Sequence, residues 1–149
     1  QLFNRTNELN TTGNRYELEK LKKRYNDKEI EVFVTELKDK FGDYGLIAEC
    51  IVNTSTQDWE IKDLTVSCRT MGRGIGSALL IAIMHYAKER NAKTIRGILR
   101  EIESNWRMKP LYLKRGFKVI KKEGNKTAYG YEFKDKLPEF HPWLKIIRK

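Results

Sequence analysis

One stretch, Asp63-Leu-Thr-Val-Ser-Cys-Arg-Thr-Met-Gly-Arg-Gly-Ile-Gly-Ser-Ala-Leu-Leu80, limits the possible folds of this chain more than any other. Leu64 and Val66 alternate with polar neighbours, as a half-buried strand requires. Gly72, Gly74 and Gly76 then fall at every second position. From Ile75 the spacing becomes helical, with Ile75, Leu79, Ile83 and Ala87 on one face. A glycine-rich turn between strand and helix leaves backbone N–H groups unpaired at the positive end of the helix dipole. The stretch therefore predicts an anion site, most often one for phosphate.

Two common phosphate patterns do not fit. A dinucleotide fingerprint needs glycines at the first, third and sixth places, but the sixth place is Ser77 counted from Gly72 and Leu79 counted from Gly74. No Gly-Lys-Ser/Thr follows, which excludes the Walker pattern. The stretch resembles instead the acyl-CoA pyrophosphate loop of the GNAT superfamily of N-acetyltransferases, Gln/Arg-x-x-Gly-x-Gly/Ala after the fourth strand. Gly74-Ile75-Gly76 match its end. Met71 stands where Gln or Arg is expected, with Arg69 and Arg73 as possible replacements. A second run, Asn105-Trp-Arg-Met-Lys-Pro-Leu-Tyr-Leu-Lys-Arg-Gly-Phe117, resembles the superfamily's later motif, with Asn105, Leu111, Tyr112, Gly116 and Phe117 in register.

Three further stretches narrow the likeness: Gln1–Tyr16, Phe41–Ile47 and Ser67–Gly74 are similar to the C-terminal, GNAT-like part of FkbH-like proteins. There the upstream part is a phosphatase-like domain, and the family loads a glyceryl group onto an acyl carrier protein. The Asp-x-Asp signature of that phosphatase is absent from this chain. The resemblance implies an α/β fold with a mixed, mostly antiparallel sheet, splayed between the fourth and fifth strands and flanked by helices. It implies acyl-CoA, CoA or the phosphopantetheine arm of a carrier protein as ligand. It implies an acyl carrier protein and the missing upstream domain as partners.

The residues themselves suggest the same order of elements. Strands are expected over 11–16, 29–37, 46–52, 59–67 and 94–99, with a closing hairpin over 118–122 and 127–133. Helices are expected over 17–25, from the glycine turn to about 90, and over 106–114, where Pro110 is awkward. Residues 38–45 read as a turn. Residues 1–133 form the acyl-CoA- or pantetheine-binding domain implied by the resemblance, and 134–149 a tail with an apolar-basic stretch suited to a short docking helix. Strands on both sides of a single buried helix, without repeated strand–helix units, also argue for a mixed sheet.

The chain has 149 residues, one domain by size, and opens on Gln1 rather than Met, as a cut piece of a longer protein would. A net charge of +10 points to an anionic partner: CoA phosphates, an acidic carrier protein or nucleic acid. The aromatic-plus-basic patterns of RNA-binding modules are missing, which argues against nucleic acid. Two cysteines, with Cys50 opposite roughly residue 61 and Cys68 far along the next strand, favour free thiols in a reducing cytoplasm. No apolar run approaches a membrane span, and no spacing of His, Cys and Asp suggests a metal.

Acyl transfer from a thioester needs an oriented carbonyl, an activated nucleophile and a proton for the leaving thiolate. By resemblance Tyr112 supplies that proton. Arg69, Gly72, Arg73, Gly74, Gly76 and Ser77 are the pyrophosphate candidates, and the strand carrying Leu64 and Val66 offers backbone groups to the pantetheine. Asn105 either orients the pantetheine or caps a helix. Cys68 beside Arg69 is either a transfer nucleophile or a small buried apolar residue. Glu60, Asp63 and Glu101 are candidate bases that also read as plain surface carboxylates.

Overall fold

The computed structural model describes residues 22–23, 25–66, 74–101, 108–133 and 137–139. The strand expected over 11–16 lies outside them, so the strand counted fourth from sequence is here the third. Among the described residues a six-stranded sheet runs in the order β1-β2-β3-β4-β6-β5. Its members are β1 (Ile30–Asp39), β2 (Gly42–Asn53), β3 (Asp58–Val66), β4 (Thr94–Arg100), β5 (Lys118–Glu123) and β6 (Lys126–Glu132). All neighbours pair antiparallel except β3 and β4. This is the mixed, mostly antiparallel α/β sheet expected.

Helix α1 (Ile75–Glu89) follows β3 and covers one face of the sheet. Ile75, Leu79, Ile83 and Ala87 are all buried, as their four-residue spacing requires. Tyr86 fixes the helix against the sheet: its ring lies 5.4 Å from Phe33 on β1 and 5.9 Å from Trp59 on β3. His85 meets the carbonyl of Pro138 at 2.8 Å, so the start of the tail rests on the helix. The docking helix expected further along the tail falls outside the described residues.

Two expected elements differ. Residues 38–45 are not a turn: only the Lys40–Phe41 corner is, and β2 starts at Gly42. Gly42 and Gly45 adopt positive φ, and the β1–β2 register shifts twice beside them. These glycines absorb irregularities within a long hairpin rather than ending it. The helix expected over 106–114 is, in its described part, a chain of turns ending in a 3₁₀ segment, Leu113–Arg115. Pro110 has no N–H to give, and the bonds Leu111 N–H to Met108 O and Arg115 N–H to Tyr112 O close shorter turns instead. Gly116, at φ 92, makes the exit turn.

Candidate active site

β3 and β4 pair only from Asp58↔Thr94 to Ile61↔Gly97. Two further contacts tie this end: Thr94 Oγ1 donates to Asp58 Oδ1 at 2.7 Å, and Lys93 N–H to the carbonyl of Gln57 at 2.8 Å. Beyond Gly97 each strand keeps only its outer neighbour: β3 stays on β2 as far as Ala48↔Val66, and β4 on β6 as far as Arg100↔Lys126. The sheet therefore opens as a wedge whose apex is the Ile61–Gly97 pair. Residues 62–66 have no partner strand on their β4 side among the described residues.

A bulge decides what β3 presents there. Val52 pairs with Ile61 but Ile51 pairs with Asp63, so Lys62 is an extra residue. Trp59 and Ile61 face the helix before the bulge, Leu64 and Val66 after it. Strand alternation then turns Asp63 and Thr65 to the opposite face. Both are fully buried there, and Glu49, the partner of Thr65 on β2, is 8% exposed. Asp63 is thus no surface carboxylate, whereas Glu60 is half-buried and Glu101 lies 3.7 Å from Lys109. The bulge was legible: apolar residues at 59 and 61, then at 64 and 66, break a two-residue alternation. Glu49 carries no such signal.

Helix α1 begins at the open end of the wedge. Gly76 packs so tightly on β3 that a Cβ there would lie 3.2 Å from Val66 Cγ2 and 3.7 Å from Leu64 Cδ2. The side chains of Leu64 and Val66 belong to the core beneath the helix, so contact with a ligand falls to their backbone. Gly74 caps the helix in the left-handed conformation, without a side-chain hydrogen bond and with no acidic residue in the first turn. Ala78 N–H is the first to find a helical partner, the Gly74 carbonyl, which leaves Ile75, Gly76 and Ser77 N–H for something else.

The 108–117 segment links the apex to that helix start. Leu111 abuts Gly76, and Tyr112 lies over Gly97 with its ring edge and hydroxyl against the Cα. Tyr112 is fully buried, stacked 5.3 Å from Tyr129 and tilted 5.2 Å from Phe117. Burial pushes the Tyr129 phenol up, and the Glu101 carboxylate adds to the shift, so no phenolate charge arises beside Tyr112 at neutral pH. The Arg115 guanidinium donates from Nη2 to Ser77 Oγ at 2.5 Å. In the sequence Arg115 stands only as a member of the Asn105–Phe117 run; its contact with the helix start is a tertiary result.

Besides the three candidate carboxylates, six of the candidate site residues are described: Leu64, Val66, Gly74, Gly76, Ser77 and Tyr112 all line or support this wedge. Cys68, Arg69, Gly72, Arg73 and Asn105 lie outside the described residues. Cys50 pairs with Leu64 rather than with residue 61, because the hairpin turns later than expected and the bulge adds a residue. Burial raises its thiol, so it stays protonated. Among the described residues no cluster could hold a metal ion, and no helix is long and apolar enough to cross a membrane.

The family of acetyltransferase (GNAT) domains matches residues 5–130. This chain belongs to that family. Its fold is similar to that of a PaiA N-acetyltransferase from Thermoplasma acidophilum, solved in complex with coenzyme A, at 17% identity and a TM-score of 0.60 over 77% of this chain and 68% of that one. It is also similar to a GNAT family acetyltransferase from Elizabethkingia anophelis with acetyl-CoA bound, at 16% identity, a TM-score of 0.60, and coverage of 78% and 83%. The Escherichia coli ribosomal-protein-S18-alanine N-acetyltransferase gives 16% identity, a TM-score of 0.56, and coverage of 83% and 81%. No curated protein matches the sequence significantly. Membership in the GNAT family accounts for the parallel β3–β4 pair, the wedge beyond it and the glycine-led helix at its mouth.

Proposed function

We propose that this GNAT domain transfers an acyl group from an acyl-CoA to an amine. The observation that carries the reading is the wedge between β3 and β4 with, at its mouth, a helix start that has no side-chain cap. The donors collected there fit a diphosphate: three helical N–H groups, the Ser77 hydroxyl and the Arg115 guanidinium, with no carboxylate in the first turn. The unpaired backbone of residues 62–66 would hold a pantetheine chain as an added strand holds its neighbour.

The two faces of the opening divide the chemistry. Tyr112 lies at the apex on the helix side, where its phenol would give a proton to the departing thiolate. Asp63 faces the other side, where its carboxylate would take a proton from the attacking amine. The new carbon–nitrogen bond forms as the carbon–sulfur bond breaks, and the two protons move on opposite sides of the sheet.

Calorimetric titration with CoA and acetyl-CoA tests the reading. Wild type should bind both, and Gly74→Glu should weaken binding more than tenfold. A side chain at φ 70 costs about 1 kcal/mol or more, and the new carboxylate would oppose the phosphates. Undiminished binding by the variant would remove the helix start from the site.

The likeness to FkbH-like proteins supports a finer version, in which the donor arm belongs to an acyl carrier protein and an upstream phosphatase-like domain completes the enzyme. Met71 at the usual Gln/Arg place also favours a second reading, a non-catalytic module that docks the carrier. Titration with phosphopantetheinylated carrier protein separates these. Saturable carrier binding without CoA binding would support docking. Normal loading by the full-length enzyme carrying Tyr112→Phe and Cys68→Ser would place the chemistry upstream.

A further inference from the structure

We infer that Arg115 is a specificity residue for the second phosphate of the donor, one that makes this site prefer a nucleotide diphosphate over the single phosphate of a carrier-bound arm. The inference rests on the acyl-CoA reading above and extends it.

Among the described residues, the helix start and Arg115 present donors to the mouth of the wedge, with no carboxylate in the first turn. Ile75, Gly76 and Ser77 N–H have no helical acceptor. Ser77 Oγ accepts from Arg115 Nη2, which leaves the hydroxyl proton to give away. Arg115 Nε is buried without a hydrogen-bond partner among the described residues, and Nη1 has only the carbonyl of its neighbour Lys114, at 3.3 Å. A buried guanidinium N–H without an acceptor costs free energy. A guanidinium at a helix N-terminus is also of the wrong sign for the dipole. Both penalties vanish if an anion with several oxygens sits between Arg115 and the helix start. A phosphate on the helix N–H groups satisfies those three donors. A second, adjoining phosphate is what the Arg115 fork can reach while Ser77 holds it in place.

Arg115 is held there by local structure. The Leu113–Arg115 turn, closed by Gly116 in the left-handed conformation, lifts it from the apex toward α1. Leu111 abuts Gly76 and Tyr112 covers Gly97, so the turn that carries Arg115 is anchored on both α1 and β4. The place in the pyrophosphate motif where Gln or Arg is usual holds Met71. Arg115 brings a cation to the helix start at Ser77, 38 residues away in sequence.

The test compares wild type, Arg115→Met and Arg115→Lys, in titrations with CoA, 3′-dephospho-CoA, 4′-phosphopantetheine and inorganic pyrophosphate. Thermal melts check that each variant is folded. Wild type should bind 3′-dephospho-CoA at least tenfold tighter than 4′-phosphopantetheine. Arg115→Met should weaken CoA and 3′-dephospho-CoA alike by about ten- to a hundredfold, as loss of a charge-assisted bond implies. It should change 4′-phosphopantetheine less than threefold, and Arg115→Lys should fall between. Three outcomes overturn the inference: unchanged CoA affinity in Arg115→Met, a loss confined to CoA that would assign Arg115 to the 3′-phosphate, or an equal loss for all ligands, as a structural role would give. Failure of wild type to bind any pantetheine ligand would sink the acyl-CoA reading. Pyrophosphate binding abolished by Arg115→Met would then still support the diphosphate contact, and pyrophosphate binding unaffected by it would overturn that contact too. Should Arg115→Met melt far below wild type, Ser77→Ala, which frees the guanidinium without removing it, should reproduce the same ligand order with a smaller loss; no loss there overturns the inference.

Discussion

Gly97→Ala should lower the melting temperature by on the order of 10 °C and abolish acyl transfer. A Cβ at this position would overlap Cε1 and Cζ of Tyr112 and crowd its hydroxyl. The ring cannot retreat, because Tyr129 stacks on it and Phe117 packs against it. Overpacking of this kind costs about 3 kcal/mol, the upper part of the usual range, which for a domain of this size corresponds to that shift. Gly130 is the control. A Cβ there meets only Ile120, the half-exposed end of a flexible side chain on an edge strand, so Gly130→Ala should melt within about 3 °C of wild type. The double variant Gly97→Ala/Tyr112→Leu should recover part of the lost stability without recovering transfer, since the clash is relieved and the phenol is gone. An unchanged melt for Gly97→Ala would mean that Tyr112 does not sit over the apex.

Asp63→Asn should reduce kcat by about two to four orders of magnitude while leaving the affinity for CoA within twofold. Asparagine keeps the shape of the buried side chain and one acceptor oxygen but cannot take a proton. The bulge at Lys62 turns this residue to the face opposite Tyr112, where an acceptor amine can approach without meeting the phenol. Thiol release from acetyl-CoA with a panel of primary amines gives the rate, and calorimetry gives the affinity. Glu49→Gln, on the neighbouring strand, is the comparison: Glu49 sits on β2, away from the open edge of β3, and its loss should cost far less. If Asp63→Asn retains kcat within threefold, the base lies elsewhere. If CoA affinity falls in parallel with kcat, the residue supports the fold of β3 rather than proton transfer.

Much of the scaffold was legible in the sequence because it depends on local regularities. The apolar spacing at Ile75, Leu79, Ile83 and Ala87 marks a helix with one buried face wherever the sheet lies. Gly74 and Gly76 announce the strand-to-helix turn because few other residues fit a left-handed cap or so close an approach to a strand. The closing hairpin followed from its turn and its alternation. The 106–114 segment was misjudged because helical spacing and a central proline compete. In the described part the missing N–H of Pro110 decided for short turns. The 38–45 segment was misjudged because glycine signals a turn and a bulge alike, and only strand pairing distinguishes them.

The sequence by itself determined that a strand, a glycine turn and an apolar helix follow one another, and that the helix start is rich in backbone donors. Those properties belong to backbone geometry within a few residues. Only the tertiary structure decided that β3 and β4 part after Ile61 and Gly97, that Tyr112 closes the apex, and that Arg115 reaches Ser77. These depend on contacts between segments far apart in the chain, where side-chain volume and the fit of one strand to another outweigh local preference. Asp63 lies between the two: the sequence carries a shifted apolar alternation along β3, but the strand pairing revealed its change of face, and its burial came from the neighbours that the sheet assembled around it.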